Sequence, residues 1–398
     1  MTTYQEALKI ILEAIPEPGS AEIPTKTSLQ RVLAKDVSLT RDFPELRLSA
    51  VDGYAFHTGP QTWYQDIGNI AAGQASGLVL EPGQCAAVMT GAPVPEGTVC
   101  VVRIEQCEKV DDKVRAAIPF KPGDLINETG SEAGSGQHLL PKGTLLNKAS
   151  YPTLFYAGIP KVTVYQFPRI GMLLTGDELC DVDETPARGQ VFNTNCYILE
   201  SFIGALGMSI TKQRQIKDDE ATTREALENL AGECDIVVSS GGVSMGKYDY
   251  IKKIFREDGY QLLIEGTKIK PGRPLMVARK RETLFFGMPG YPAAFLTNCL
   301  IYLVPALKKA SGRSDCHTQY IKATLDTPLK AKKGRLDFNR IILKRDQGGW
   351  IASDASSQKT SHFLNFSRVN GLAMLPEDTG KVEAGTEIDC LHVDLELC

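Results

Sequence analysis

The start of the chain has the apolar spacing of an amphipathic helix. Apolar side chains recur every three or four positions, at Tyr4, Ala7, Leu8, Ile11, Leu12 and Ile15. Thr3 and Glu6 stand at the spacing of a capping box, in which each side chain bonds the backbone N–H of the other residue. The pattern therefore predicts one helix near the N-terminus.

From about residue 36 to 130 the apolar runs are short. CAAVMT, TVCVVRIEQC and KVRAAIPF are rich in β-forming residues and are separated by Pro and Gly, which predicts a small β domain. A similar pattern returns from about residue 316, in YIKATL, FNRIIL, WIASDA and EIDCLHVDL. We expect the end of the chain to form a small barrel or sandwich.

Strand and helix patterns alternate between about residues 162 and 315. The runs IGMLL, DIVVS and LFFG are typical of buried strands. TNCYILESFIGALG is typical of a helix, and Pro292 suits the first turn of another helix. The buried stripe of the first of these helices comprises Ile198, Leu199, Phe202, Ile203 and Leu206. The alternation predicts an α/β fold with a doubly wound parallel sheet.

Composition and charge exclude several classes of protein. With 398 residues, 42% of them hydrophobic and 23% charged, the chain is long enough for several globular domains. A net charge of −4 offers no general attraction for nucleic acid. The chain has no membrane-length apolar run and no basic leader, and its 10 cysteines lack zinc-type spacing. We expect a cytoplasmic protein with reduced cysteines and no membrane partner.

The most unusual sequences follow the predicted strands. TGDEL, SSGGVS and GMPGYP each come after a strand, and Asp218 and Asp219 close a fourth. Ligands bind at the carboxyl ends of the strands in an open α/β sheet. Gly241 and Gly242 in SSGGVS, with the serines beside them, suit a phosphate cradle, and a tight strand-to-helix turn accounts for them equally well.

A basic segment and three carboxylates complete the candidate chemistry. Lys270 lies in TKIKPGRP, where two prolines stiffen a backbone that suits an oxyanion, with a solvated basic turn as the alternative. Glu178, Asp218 and Asp249 would repel an anion unless a divalent cation bridges them to it, so the combination predicts Mg²⁺. Helix capping is the alternative for Asp218 or Asp219 and for Asp249.

Eight motifs occur in one order along the chain: SAVDGYA, MTGAPVPEG, TGDEL, SSGGVSMGKYDY, KPGRP, GMPGYP, GRLDFNR and TSHFLNFS. Each is weak alone, but the ordered series resembles the molybdopterin molybdotransferase family, which includes bacterial MoeA and the E domain of gephyrin. The resemblance implies a multidomain homodimer with its active cleft at the dimer interface. It also implies that molybdate is inserted into adenylylated molybdopterin with Mg²⁺-dependent release of AMP, and that MogA-type adenylyltransferases and molybdoenzyme apoproteins are partners.

The resemblance and the patterns together divide the chain into five parts. They are a helix packed on the α/β region (1–17), a linking β domain (18–35 and 131–161), a projecting β-rich domain (36–130), a MogA-like α/β domain (162–315) and a C-terminal β-barrel (316–398).

The functional positions are carried over residue by residue. The resemblance assigns catalysis to Asp52, Thr90, Glu178, Asp218 and Asp249, the last three also as metal ligands. It assigns ligand binding to Ser239, Gly241, Gly242, Ser244, Lys268, Lys270, Arg273, Pro289, Arg340 and Ser361. From the residues alone, Asp52 and Thr90 are typical of ordinary turns.

Some positions depart from the family pattern. Asn127, Glu128, Thr129 and Glu132 stand where the family commonly has an arginine-rich run and Gly-Glu-Asp. Gly266 replaces a lysine, and Tyr291 replaces the asparagine of PGNP.

Two other classes of function stay open. One is a divergent non-catalytic paralogue that acts as a pterin-binding regulator or scaffold, and the retained Asp52, Glu178, Asp218 and Asp249 argue against it. The other is a MogA-type molybdopterin adenylyltransferase, and the match over several domains argues against it. Molybdate and tungstate, both tetrahedral dianions of similar size, are not distinguished.

Overall fold

The computed structural model describes residues 1–58, 62–73, 77–243, 249–317 and 319–393. The chain forms two compact units. Met1–Lys35 and Lys142–Cys398 make up the large unit, and Asp36–Pro141 make up the inserted unit. Across the described ranges, no helix combines the length and the apolar character needed to cross a membrane.

The large unit begins with the predicted helix. Helix α1 (Tyr4–Ala14) starts at a complete capping box, in which Thr3 Oγ1 accepts from the Glu6 N–H and Glu6 Oε2 accepts from the Thr3 N–H. The sequence prediction of this helix and of its cap is confirmed. A strand, β1 (Ser20–Pro24), follows it.

Within residues 36–58, 62–73 and 77–141, ten strands belong to the inserted unit. They are β2 (Val37–Ser38), β3 (Leu48–Ser49), β4 (Gly53–Phe56), β5 (Tyr64–Ile70), β6 (Gln84–Val88), β7 (Cys100–Arg103), β8 (Cys107–Val110), β9 (Lys113–Ala116), β10 (Ile126–Asn127) and β11 (His138–Leu140). Six of them form one sheet in the order β7-β4-β6-β5-β9-β8. Successive residues of β4 alternate between two apolar clusters, Ala55 in one and Phe56 in the other, so both faces of the sheet are covered.

The chain then returns to the large unit through a short helix and a strand. Helix α2 (Ser150–Tyr156) precedes β12 (Lys161–Tyr165), which pairs antiparallel with β1. The inserted unit ends at Pro141, before α2 begins. The finer boundaries of the linking β domain stay a prediction.

An α/β region follows. Its strands are β13 (Ile170–Thr175), β14 (Leu179–Cys180), β15 (Val191–Phe192), β16 (Ile210–Ile216), β17 (Ile236–Ser240), β18 (Gln261–Glu265), β19 (Ile269–Lys270), β20 (Met276–Lys280) and β21 (Thr283–Met288). Its helices are α3 (Thr194–Ala205), α4 (Glu220–Glu233), α5 (Tyr250–Glu257), α6 (Pro292–Asn298) and α7 (Val304–Ala310), with a π-helical turn at Cys299–Leu303. The predicted helices over the stripe of Ile198 and at Pro292 are confirmed.

The main sheet has the order β16-β13-β17-β21-β20-β18. Strands β16, β13, β17, β21 and β18 run in one direction, and β20, which lies between β21 and β18, runs antiparallel to both of them. The predicted parallel, doubly wound sheet is therefore present, and β20 is its one reversed strand. The reason is local: β20 and β21 are joined by only two residues, Arg281 and Glu282, which is a hairpin connection and too short for a crossover helix.

Helices cover both faces of this sheet. Leu173 of β13 packs in a cluster with Leu227 of α4 and Phe255 of α5. The neighbouring Met172 and Leu174 pack in the opposite cluster, which contains side chains of α1, α3, α6 and α7. The alternation along β13 thus produces a three-layered α/β/α arrangement.

The chain ends in a barrel. The strands are β22 (Ile321–Leu325), β23 (Leu329–Lys330), β24 (Leu336–Asp346), β25 (Gly349–Asp354), β26 (Gly371–Leu375), β27 (Lys381–Val382) and β28 (Glu387–His392). The circuit β24-β25-β22-β28-β26 closes because β26 also pairs with β24. The expected C-terminal barrel is confirmed, and β19 adds to its edge beside β24.

Candidate functional site

A cavity of about 690 Å³ lies where β13, β17 and β21 end. The neighbours of β13 are β16 on one side and β17 on the other, so the chain reverses its direction of winding here, which is the position at which α/β sheets bind ligands. The cavity is lined by loop residues that follow all three strands and by the first turn of α3. Glu178, Gly241, Gly242, Asp249 and Pro289 are among them, as predicted from the motifs.

The glycine-rich loop after β17 has the tight geometry that its sequence suggests. Gly241 and Gly242 adopt φ values of +89° and +73°, and a Cβ on Gly242 would meet Ile251 Cδ1 at 2.9 Å. Only glycine fits here without strain. Ser244, assigned to ligand binding from the sequence, lies outside the described residues.

Ser239 does not line the cavity, contrary to its assignment as a binding residue. It is 2% exposed within β17, and the adjacent Ser240 lines the cavity instead. Successive side chains of a strand point to opposite faces, so only one of two adjacent serines can face the ligand.

Asn195 is a site residue that the sequence analysis missed. It is 5% exposed, lines the cavity, and its Nδ2 donates to Ser240 Oγ (2.6 Å) and to the Gly290 carbonyl (2.8 Å). Because a carbonyl can only accept, this contact fixes the orientation of the carboxamide. The available signal was an asparagine that extends the apolar stripe of α3 backward from Ile198 and Leu199.

The predicted acidic residues influence one another electrostatically. Desolvation, followed by the charges of Glu178, Asp177 and Asp249, raises the pKa of Asp218 above its ordinary value. Asp219 is the N-cap of α4, with Oδ2 accepting from the Thr222 N–H at 2.8 Å, so the capping alternative is correct for Asp219. In the described part of the chain, no three acidic, His or Cys side chains already converge as metal ligands.

The segment TKIKPGRP, which contains β19, forms a closed loop between β18 and β20. The Gly266 N–H donates to the Leu275 carbonyl (2.8 Å) and the Thr267 N–H to the Arg273 carbonyl (2.9 Å). Lys268 and Arg273 are exposed, Lys270 is half-buried, and Pro274 lines the cavity. Pro274 brings the loop to the edge of the cavity, whereas Lys268, Lys270 and Arg273 are not among the residues that line it.

Arg340 and Ser361 lie in the barrel. Arg340 is 3% exposed, and its guanidinium donates to the carbonyls of Lys359 and His362 and to Asn365 Oδ1. These contacts hold the loop that carries the exposed Ser361. Arg340 was expected to bind the ligand. In this structure its Nη1 and Nη2 groups instead bind the loop.

Asp52 and Thr90 are paired in the inserted unit. Asp52 Oδ1 accepts from the Thr90 N–H (2.6 Å) and from Thr90 Oγ1 (2.9 Å). These two hydrogen bonds lower the pKa of Asp52, so its carboxylate is ionised at neutral pH. From the residues alone, both motifs were interpreted as ordinary turns. That interpretation did not predict the contact between Asp52 and Thr90.

Two of the residues that depart from the family pattern are Glu128 and Tyr291. Glu128 accepts a bidentate pair of hydrogen bonds from Arg47, at 2.9 and 3.0 Å. Tyr291 is 60% exposed and lines the cavity together with Phe192, which gives the cavity an accessible aromatic wall.

Three family models match the chain in succession. They describe the MoeA N-terminal region, domains I and II (residues 2–158), a probable molybdopterin binding domain (171–309) and the MoeA C-terminal region, domain IV (322–393). The expected fold class, a MogA-like α/β domain with a β-rich insert and a C-terminal barrel, is confirmed.

Curated relatives and solved structures align over nearly all of the chain. The molybdopterin molybdenumtransferase of Nostoc sp. is 29% identical, with 99% of this chain and 94% of the relative covered. The protein of the same name from Staphylococcus epidermidis is 27% identical, with 98% and 95% covered. A crystal structure of the molybdopterin biosynthesis MoeA protein from Pyrococcus horikoshii has a TM-score of 0.82 at 26% identity, with 99% of both chains covered.

Proposed function

We propose that this chain, which belongs to the MoeA family, is a molybdopterin molybdotransferase that acts in molybdenum cofactor biosynthesis. The observation that carries the proposal is the position of the cavity of about 690 Å³, which falls within the residues that match the molybdopterin binding domain. The finer parts of the proposal are adenylylated molybdopterin as substrate, molybdate as the inserted oxyanion, and AMP as a product.

The cavity suits a ligand with a planar ring and an anionic end. Phe192 and Tyr291 supply exposed apolar surface, whereas the loop Gly241–Gly242 and the first turn of α3 supply backbone N–H groups. Lys270 and Arg273, on the loop that borders the cavity at Pro274, supply positive charge. In the proposal these cations receive the phosphate or the molybdate.

The proposal places Mg²⁺ beside Glu178 and Asp249, which line the cavity. Carboxylate oxygens are hard ligands, and Mg²⁺ is usually held by one or two carboxylates together with phosphate oxygens of the substrate. Glu178, Asp218 and Asp249 are the residues that would hold it. Desolvation and the neighbouring carboxylates raise the pKa of Asp218, and a bound cation would offset both effects and let an anionic ligand approach.

The proposal also includes a homodimer in the cytoplasm, as the resemblance and the composition imply. Sedimentation at micromolar protein concentration should show a dimer. A monomer that retains the transferase activity would contradict this part.

The test of the reaction is AMP release from adenylylated molybdopterin, with molybdate, tungstate or no oxyanion, and with or without Mg²⁺. Release should require both an oxyanion and Mg²⁺. An Asp218→Asn/Asp249→Asn double variant should bind the ligand more weakly and release little AMP even when Mg²⁺ is added, whereas Asp219→Asn, which keeps a good helix cap, should behave as the unmodified protein. Binding of the substrate without AMP release under any condition would favour the regulator or scaffold instead.

A further inference from the structure

Asn298 contacts the segment TKIKPGRP, here called the basic loop, from inside the core. It is the last residue of α6 and is fully buried, with 0% exposure. Its Nδ2 donates to the carbonyl oxygen of Gly272 at 3.2 Å. Gly272 lies between Lys270 and Arg273, so a helix side chain holds the backbone at the centre of this loop.

Gly272 and Asn298 fit each other closely. Gly272 has a φ of +104°, and a Cβ added to it would lie 2.2 Å from Asn298 Oδ1. No side chain can occupy that space unless the asparagine or the loop moves. The contact therefore depends on the absence of a side chain at position 272 and on the carboxamide at position 298.

Asn298 is a poor choice for packing alone. Its Oδ1 is buried and finds no hydrogen-bond partner among the described residues, which is unfavourable for a polar atom in a core. The residues around it in sequence, Phe295, Cys299 and Leu300, are apolar and fully buried. An apolar side chain would fill the site without an unpaired oxygen, so what the asparagine adds is its hydrogen bond to the loop.

The helix that carries Asn298 also forms part of the cavity wall. Tyr291 and Pro292, at the start of α6, line the cavity, and so does Pro274 in the loop. Asn298 ends α6 where the π-helical turn begins, a kind of distortion that is frequent near functional sites. One short helix therefore contacts the cavity at its first turn and the basic loop at its last residue.

We propose that Asn298 is a positioning residue, which holds the Gly272 carbonyl and thereby sets where Lys270 and Arg273 present their charges to an anion. This inference rests on the proposed function in one respect, that Lys270 binds the phosphate or the molybdate. Asn298 acts through the loop backbone and does not itself touch the ligand. Its loss weakens anion binding while every charge stays in place.

The first test compares Asn298→Ala with Thr297→Ala. Thr297 is equally buried on the same turn, but its Oγ1 bonds only the Ala293 carbonyl of its own helix. Dissociation constants for molybdate are measured by equilibrium dialysis, and those for AMP by calorimetry. Asn298→Ala should raise both by roughly 3- to 10-fold, as expected for the loss of one neutral hydrogen bond. Thr297→Ala should leave them within about twofold.

A triple variant separates positioning from general destabilisation. If Asn298 acts through Lys270 and Arg273, then Lys270→Ala/Arg273→Ala/Asn298→Ala should bind no more weakly than Lys270→Ala/Arg273→Ala. A further loss of binding in the triple variant would indicate that Asn298 affects the site in another way, and would overturn the inference.

Glycine variants test the contact from the loop side. Gly272→Ala should raise the dissociation constants as Asn298→Ala does, because its Cβ collides with Oδ1. Gly266→Ala is the matched control, since Gly266 also has a positive φ, +77°, but its Cβ would meet its nearest neighbour at an ordinary 3.4 Å. Should Asn298→Ala fail to fold, Gly272→Ala, which keeps the asparagine, carries the test.

The outcomes distinguish this inference from the proposed function. If Lys270→Ala leaves both dissociation constants unchanged, the anion site of the proposed function is wrong and the inference falls with it. If Lys270→Ala weakens binding but Asn298→Ala and Gly272→Ala do not, only the inference is overturned.

Discussion

Replacing Asn195 by Ala should remove a bridge between two loops of the cavity. Its Nδ2 donates to Ser240 Oγ and to the Gly290 carbonyl, at 2.6 and 2.8 Å. Each hydrogen bond contributes about 1 kcal/mol net, and a carbonyl left unpaired adds to the loss. Asn195 Oδ1 has no hydrogen-bond partner in the part of the chain that the structure describes, so its removal offsets part of this loss. We therefore expect the free energy of unfolding to fall by roughly 1–3 kcal/mol.

Ligand binding should weaken as well, because Ser240 and Gly290 both line the cavity. Urea denaturation measures the free energy of unfolding, and calorimetric titration of AMP measures a dissociation constant that should rise several-fold. Ser201→Ala is the control on the same helix, since Ser201 Oγ bonds only the Ile198 carbonyl and should change stability by no more than about 0.5 kcal/mol. Unchanged stability and AMP affinity in Asn195→Ala would refute the bridge.

Three further predictions follow from the charged groups. Lys270→Ala should weaken the binding free energy of AMP or molybdate by about 1.5–3 kcal/mol, as measured by calorimetry. The free energy of unfolding should change by no more than about 0.5 kcal/mol. An unchanged affinity would remove Lys270 from the site. Because the folded pKa of Asp218 is raised, its contribution to stability is full below the ordinary carboxyl pKa and is lost as pH rises through the raised value. Asp218→Asn should flatten the unfolding midpoint against pH in that interval, and an identical profile would contradict this. Arg340→Ala should destabilise the barrel by roughly 2 kcal/mol and expose its loop to limited proteolysis; a loop as resistant as before would contradict the assigned contacts.

Local elements were predictable because neighbouring residues specify them. The capping box of Thr3 and Glu6, the buried stripe of α3 and the helix start at Pro292 depend on contacts within a few residues. Strands β22, β24, β25 and β28 of the C-terminal region were recognised in the same way, whereas β23, β26 and β27 were not. The placement of TGDEL, SSGGVS and GMPGYP at one edge also followed, because a strand that runs parallel to its neighbour must end beside it.

Details of strand pairing were not predicted from the sequence. The sequence analysis did not identify β18 or β20, and the reversed direction of β20 follows from the two-residue hairpin that joins it to β21. Whether Ser239 or Ser240 faces the ligand was decided by the register of β17 between β13 and β21, and a pattern of two adjacent serines carries no information about it.

By itself the sequence determined the order of the elements, the α/β and barrel character of the regions, and the motifs that mark the family. Tertiary structure alone decided which polar side chains meet. Asn195 reaches Gly290 across 95 positions and Asn298 reaches Gly272 across 26, and Arg340 turns inward to hold the loop of Ser361. The physical reason is that the contacts of a carboxamide or a guanidinium depend on which hydrogen-bond partners the completed fold brings within about 3 Å of it. Hydrophobic periodicity records only which face of an element is buried.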